Sequence, residues 1–205
     1  MYYKLVKSLL TPQECQLVAD IMSDRVETGQ WLTESCELAK AFYSIMPDTI
    51  IDRLLPEVSD FAQCKVNYNF DYARIYPESQ GLKKHRDRTG CEYSVTVCIK
   101  NTTHSFPFWV INPDSQKPES FEMLPGDGLL YRGTEVLHWR EPNPHSDVFQ
   151  AFIHFCDDET FAEIVDYEPR HVRIKQQAEA IVTRNKLKAM FGRPVGKQDS
   201  QKPDK

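Results

Sequence analysis

Val66-Asn67-Tyr68-Asn69-Phe70-Asp71-Tyr72 puts an apolar or aromatic residue at every second position and a polar one between them. Side chains two apart share one face of a strand, so the stretch predicts a strand with one buried face. Downstream, further short runs are strand candidates: Leu82 to Asp87, Glu92 to Lys100, Phe106 to Ile111, Ser120 to Leu124, Gly128 to Arg132, Val136 to Arg140 and Val148 to Cys156. Turn signals such as Pro77-Glu78-Ser79-Gln80-Gly81 and Pro125-Gly126-Asp127-Gly128 separate them, and no gap is long enough for a crossover helix. Eight short strands of this kind predict a double-sheet jelly roll or barrel, not an alternating βαβ fold.

Working back from Lys65, the chain reads as helical. Thr11-Pro12-Gln13-Glu14 is a capping box with proline at the first helical position, which predicts a helix from there to about Met22. Two weaker helices are expected over residues 34 to 46 and 48 to 62, the second opened by Asp48 after Pro47 and interrupted by Pro56. Beyond Asp157 the pattern turns helical again, with Ile174, Ala178, Ile181 and Leu187 near helical spacing on a basic background from Arg173 to Phe191. Gly192 to Lys205 is polar and reads as a disordered tail. The expectation is one domain over residues 1 to 191: helical to 64, a jelly-roll core over 65 to 157, and a helical part over 158 to 191. The fold class is mainly β with flanking helices.

The chain has 205 residues, 25 Lys plus Arg against 30 Asp plus Glu, and 40% hydrophobic residues. That length supports a real core in a single domain, and the net charge of -5 argues against general nucleic-acid binding. No run approaches the roughly 18 apolar residues of a membrane span, and Met1-Tyr2-Tyr3-Lys4 opens no signal-peptide hydrophobic region, so a cytoplasmic protein is expected. Cys15, Cys36, Cys64, Cys91, Cys98 and Cys156 contain no C-x-x-C pair, the wrong pattern for a disulfide scaffold or a zinc ribbon, and read as reduced and mostly core residues.

The chemistry-bearing residues sit in the β region. His85-Arg86-Asp87 ends a predicted strand, and its outer members, two apart, point to one side. His138 falls in a separate strand. Taken singly each histidine is more often structural; together, two imidazoles and one carboxylate on a rigid β scaffold form a facial triad with three open positions, the non-haem Fe(II) oxygenase arrangement. Three protein ligands leave room for a co-substrate and dioxygen, which a closed four-ligand zinc site would not. His104, His145 and His171 have no partner at ligand spacing and are taken as structural or exposed.

Here the sequence resembles the Fe(II)/2-oxoglutarate-dependent dioxygenases, built on a double-stranded β-helix. The resemblance is carried by Tyr72-Ala73-Arg74-Ile75-Tyr76, Gly81-Leu82-Lys83-Lys84-His85-Arg86-Asp87-Arg88, Cys91 to Cys98, Leu124-Pro125-Gly126-Asp127 through Gly133, His138-Trp139-Arg140-Glu141-Pro142 and Phe149 to His154, in family order over residues 66 to 156. It implies that His85, Asp87 and His138 bind Fe(II), that 2-oxoglutarate and dioxygen are co-substrates, and that succinate and carbon dioxide are released as an unactivated C–H bond of a small-molecule or side-chain substrate is oxidised. An aspartate at the second metal position implies hydroxylation over halogenation.

The family also places an arginine or lysine on its last core strand for the far carboxylate of 2-oxoglutarate. This chain has neither between Val148 and Cys156. Arg140, two residues past His138 and so on the same side of a regular strand, is the candidate, since its planar fork can hold a carboxylate through two bonds. Tyr76 matches a tyrosine that often bonds the co-substrate, while Gln150 and His154 add polar groups on the last strand. Lys84 and Arg88, with Lys83 and Arg86, could form a cationic mouth for an anionic substrate or a solvated strand edge protected by charge. Tyr72 and other aromatics could line a pocket or fill the core. The missing late cation keeps open a non-catalytic, cupin-like metal-binding jelly roll. A zinc hydrolase ranks third, for want of an H-E-x-x-H motif or a general base. Substrate identity and oligomeric state are not written in the sequence.

Overall fold

A computed structural model of the chain describes residues 1–33, 39–101, 106–144 and 147–165. The strands are β1 (Tyr3–Val6), β2 (Leu32–Thr33), β3 (Lys40–Tyr43), β4 (Val66–Tyr76), β5 (Leu82–His85), β6 (Tyr93–Lys100), β7 (Phe108–Ile111), β8 (Pro118–Phe121), β9 (Gly128–Arg132), β10 (His138–Arg140) and β11 (Val148–Asp157). The helices are α1 (Pro12–Glu27), α2 (Asp48–Ala62) and α3 (Asp158–Val165). One sheet runs β1-β9-β6-β11-β4-β3-β2 and the other β5-β10-β7-β8, and every pairing is antiparallel. This is the expected jelly roll with flanking helices.

The larger sheet separates two environments. One face packs under α1 and α2, where Val18, Met22, Ile50, Leu54, Val58 and Phe61 meet Ala73, Ile75, Val95, Val97, Ala151, Ile153 and Phe155. The other faces the smaller sheet across an interior holding Phe108, Val110, Leu129 and Tyr131. Burial of roughly 1.5–3 kcal/mol per large apolar side chain makes the helix layer a main source of stability. The capping box forms as expected: Glu14 N donates to Thr11 Oγ1 at 3.2 Å and Thr11 N to Glu14 Oε2 at 2.7 Å. Glu14 also accepts from Arg53 of α2 at 2.8 Å, which ties the two helices together. α1 outlasts its expected end at Met22 and stops at Glu27.

Two expectations are corrected. The front third is not purely helical: residues 34 to 46 were expected to be a helix, but Lys40–Tyr43 is strand β3, paired with β4 from Lys40↔Ile75 to Tyr43↔Tyr72. β1 and β2 are strands as well. An open sheet edge offers these residues a hydrogen-bonding partner, and tertiary pairing outweighs weak local helix preference.

The second correction concerns β4. Its alternation was read as one uninterrupted buried face, yet His154 pairs with Phe70 and Phe155 with Tyr68, leaving Asn69 as an extra, bulged residue. A bulge shifts side-chain parity by one. Val66 and Tyr68 therefore join the helix-side core, whereas Phe70, Tyr72, Arg74 and Tyr76 share the interior face with His154, Phe152, Gln150 and Val148. Asp71, expected on the solvated face, is buried and accepts from Ile45 N, Met46 N and Tyr68 Oη at 2.8, 3.0 and 2.6 Å.

Cys15, Cys91, Cys98 and Cys156 are free and buried, and Cys64 is free and exposed. No helix among the described residues is long and apolar enough to cross a membrane. The expected helix over Arg173 to Phe191, the expected tail, Cys36, His104, His145 and His171 lie outside the described residues.

Candidate metal centre

Pairing of β5 with β10 sets His85 opposite His138 in register, so two side chains far apart in sequence leave adjacent strands on the same face. Asp87 follows β5 by two residues and is held by its backbone N, which donates to Gly133 O at 2.9 Å. The result is a cluster whose three ligand atoms all lie within 4.8 Å of one another. Asp87 Oδ1 stands 3.5 Å from His85 Nε2 and 3.5 Å from His138 Nε2.

Both imidazoles are oriented from behind. His85 Nδ1 lies 2.7 Å from Lys83 O and His138 Nδ1 2.9 Å from Val136 O. A carbonyl only accepts, so each Nδ1 carries a proton and each Nε2 is the ring atom left facing Asp87, able to donate to its carboxylate when protonated and to offer a lone pair to a cation when not. Phe108 stacks on the His138 ring at 5.3 Å and Tyr131 meets it edge-on at 4.8 Å, which fixes its plane. Burial acts to raise the Asp87 pKa, but hydrogen bonding to His138 and His85 outweighs it and holds the carboxyl well below the usual range. Burial likewise acts to lower the His85 pKa and is overcome by the bonds to Asp87 and Lys83 O, so His85 titrates above the ordinary imidazole value. Two lone-pair nitrogens and an ionised oxygen aimed at one point fit a divalent cation, and nitrogen with carboxylate oxygen suits iron among the first-row metals.

The polar residues expected near the co-substrate lie on the interior walls. Arg140 is 3% exposed, spans Phe106 and Phe108 with its guanidinium at 4.8 and 5.1 Å from the ring centres, and donates from Nη1 to Phe106 O. Its Nε and Nη2 have no hydrogen-bond partner among the described residues. Tyr76 is fully buried against Phe106, and its hydroxyl accepts from Arg74 Nη1 at 3.4 Å. Gln150 donates to Thr96 Oγ1 at 2.8 Å. His154 sits not among these groups but behind Asp87: its Nδ1 is 2.8 Å from Ser94 Oγ, which in turn donates to Asp87 Oδ2 at 2.9 Å. Burial pushes the His154 pKa down to about 4, so the ring is neutral near pH 7.

Of the residues considered for substrate, Tyr72 stacks on Phe152 at 4.7 Å and on His154 at 5.6 Å, and Arg88 lies over Phe70 at 5.1 Å, on the triad's side. Lys84 is not brought there. It covers the Trp139 ring at 3.9 Å, and Trp139, between inward-facing His138 and Arg140, points from the opposite face of its strand.

Sequence reasoning missed Ser94, Gly133 and Arg74 as parts of the site. Ser94 had a signal, a hydroxyl in an otherwise apolar strand at the parity of Thr96. Gly133 closes the Leu124 to Gly133 stretch, and any Cβ there would stand 2.4 Å from Asp87 Oδ2 and 2.3 Å from Cys91 O. Arg74, a charge between Ala73 and Ile75, is 7% exposed and sits opposite Gln150.

No family model matches the chain, and no curated protein matches it. Solved structures do. A prolyl-4-hydroxylase from Pseudomonas putida superposes with a TM-score of 0.59 at 13% identity, covering 76% of this chain and 92% of the other. A prolyl hydroxylase from Trichoplax adhaerens, in complex with a hypoxia inducible factor oxygen degradation domain peptide, gives 0.65 at 12% identity over 78% and 86%. An oxidoreductase of the 2OG-Fe(II) oxygenase family from Burkholderia pseudomallei gives 0.60 at 11% identity over 75% and 83%. The chain thus has the double-stranded β-helix fold that these oxygenases share.

Proposed function

We propose that the chain is a non-haem Fe(II)- and 2-oxoglutarate-dependent dioxygenase that hydroxylates, or otherwise oxidises, an unactivated C–H bond of a small-molecule or side-chain substrate. The observation that carries this reading is the convergence of His85 Nε2, Asp87 Oδ1 and His138 Nε2 within 4.8 Å, each imidazole backed by a carbonyl. When bound, iron with 2-oxoglutarate supplies the activation of dioxygen that no side chain can perform, with succinate and carbon dioxide released.

The chain's own residues bind and orient. His85, Asp87 and His138 would hold the ion. Arg140, with Nε and Nη2 unpartnered among the described residues, would hold the far carboxylate of 2-oxoglutarate, and Tyr76 would add a hydroxyl to the same wall. A buried guanidinium with two idle donors is costly unless a ligand completes it, which supports an anion at this place. Gln150 and Thr96 extend the polar wall, and the Phe70, Tyr72 and Phe152 rings exclude water from the metal's side. Arg88, which lies over Phe70, would meet an anionic group on the substrate.

Anaerobic addition of Fe(II) and 2-oxoglutarate tests the reading. A weak visible charge-transfer band should form and should be absent in Asp87→Ala; no band in the wild-type protein sinks the proposal.

A further inference from the structure

Asp87 leaves the short β5 edge on a loop, and nothing in that loop alone decides which carboxylate oxygen faces the histidines. The decision comes from the other sheet. Ser94 on β6 and His154 on β11 are register partners, so their side chains rise together from the interior face of the larger sheet beneath Asp87. Ser94 Oγ lies 2.9 Å from Asp87 Oδ2 and 2.8 Å from His154 Nδ1. The hydroxyl has one proton, and of its two acceptor-only neighbours the charged Asp87 carboxylate at 2.9 Å outcompetes Cys91 O at 3.3 Å, so the proton points at Oδ2 and the oxygen's lone pair accepts from His154 Nδ1–H.

The His154 ring is locked in this pose. It is 2% exposed and packs on Phe70 at 4.6 Å and on Tyr72 at 5.6 Å with a 13° interplanar angle. Space for the carboxylate is reserved by Gly133, where a Cβ would lie 2.4 Å from Oδ2 and 2.8 Å from Ser94 Oγ. Three elements thus converge on the oxygen that does not face the imidazoles.

We propose that Ser94 and His154 form a hydrogen-bond relay that ties back Asp87 Oδ2 so that Oδ1 alone is presented to the metal, making both positioning residues of the centre. This rests on the metal reading above and adds to it a part for two residues that touch neither metal nor co-substrate. With the relay broken, the Asp87 carboxyl is free to turn both oxygens toward the ion and to occupy room that the open side requires. Removing a partner that orients a ligand typically costs 10- to 100-fold in metal affinity.

The test uses Co(II), whose visible ligand-field bands report the number and geometry of ligands. The wild-type protein is titrated beside Asp87→Ala, Ser94→Ala, His154→Leu and His154→Asn, each checked for fold by circular dichroism. The relay predicts that Ser94→Ala and His154→Leu bind Co(II) roughly tenfold or more weakly with shifted bands. His154→Asn, whose amide nitrogen sits where Nδ1 did, should restore wild-type bands. Folded Ser94→Ala with wild-type affinity and bands overturns the relay while leaving the metal reading intact. A wild-type protein that binds no Co(II), or an Asp87→Ala variant that binds as well as wild type, overturns both. Should His154→Leu fail to fold, Ser94→Ala decides alone.

Discussion

Replacing Arg140 with methionine separates the co-substrate reading from simple packing, because the two make opposite demands on one side chain. Nε and Nη2 of this buried guanidinium have no partner among the described residues, and only Nη1 is engaged, at Phe106 O. If those two donors hold the far carboxylate of 2-oxoglutarate, the variant loses two charge-assisted bonds of about 1.5–3 kcal/mol each, together about 3–6 kcal/mol. At about 1.4 kcal/mol per factor of ten, affinity should fall about 10²- to 10⁴-fold. The assay is anaerobic titration of the Fe(II) protein with 2-oxoglutarate and, in parallel, with 2-oxobutyrate, which has no far carboxylate. Wild type should prefer 2-oxoglutarate strongly; Arg140→Met should bind both alike and weakly, with Co(II) affinity unchanged. Without ligands the same variant should melt no lower than wild type, since a half-satisfied buried charge gives way to an apolar chain of similar length. A 2-oxoglutarate affinity within about threefold of wild type, or a surviving preference over 2-oxobutyrate, would refute the reasoning and place the recognising cation elsewhere.

Gly133→Ala should damage stability and metal binding together: the new Cβ meets a backbone carbonyl, Cys91 O, at 2.3 Å, and the strain of overpacking costs about 1–3 kcal/mol. Calorimetry should show a loss of about 2–4 °C per kcal/mol, and an unchanged melting temperature would contradict the packing argument. Asp127 accepts from Lys7 Nζ, Ser8 N and Leu124 N at 2.8, 3.0 and 3.0 Å. Burial acts to raise its pKa, but these bonds, led by Lys7, lower it, so its contribution to stability is present above the ordinary aspartate range and is lost as pH falls through its own lower value. Asp127→Asn should destabilise by about 1–3 kcal/mol at neutral pH and flatten acid unfolding over that window, as read by urea melts at a series of pH values. Deleting Asn69 makes Tyr68 and Phe70 consecutive, as their partners Phe155 and His154 already are, so the bulge goes while Tyr72, Arg74 and Tyr76 keep the interior face; the deletion variant should retain 2-oxoglutarate binding, and loss of that binding would contradict the register.

The triad was legible because its evidence is local twice over. His85 and Asp87 stand two apart at the end of a strand, and His138 lies in another short apolar run, so the residue types and strand pattern suffice to nominate all three. That Arg140 faces the interior was legible from its parity with His138. Gly133 was not, and Ser94 only as a hydroxyl at the parity of Thr96, since their parts depend on what lies across the gap between sheets: a serine in a strand is ordinary until a carboxylate arrives 2.9 Å away. Lys84 and Arg88, equal members of a basic cluster in the sequence, are parted by the fold, one over Trp139 and one over Phe70.

The chain's own order of apolar and polar residues therefore determined that there is a jelly roll under helices, where α1 begins, and which three side chains are fit to share an ion. Pairing in three dimensions decided the rest. Lys40–Tyr43 became a strand because the β4 edge supplied its hydrogen bonds, and β4 changed faces at Asn69 because β11 pairs with it two residues against one. Periodicity is a property of a single segment, whereas register belongs to two, so the walls of the site could be known only once the partner strand was in place.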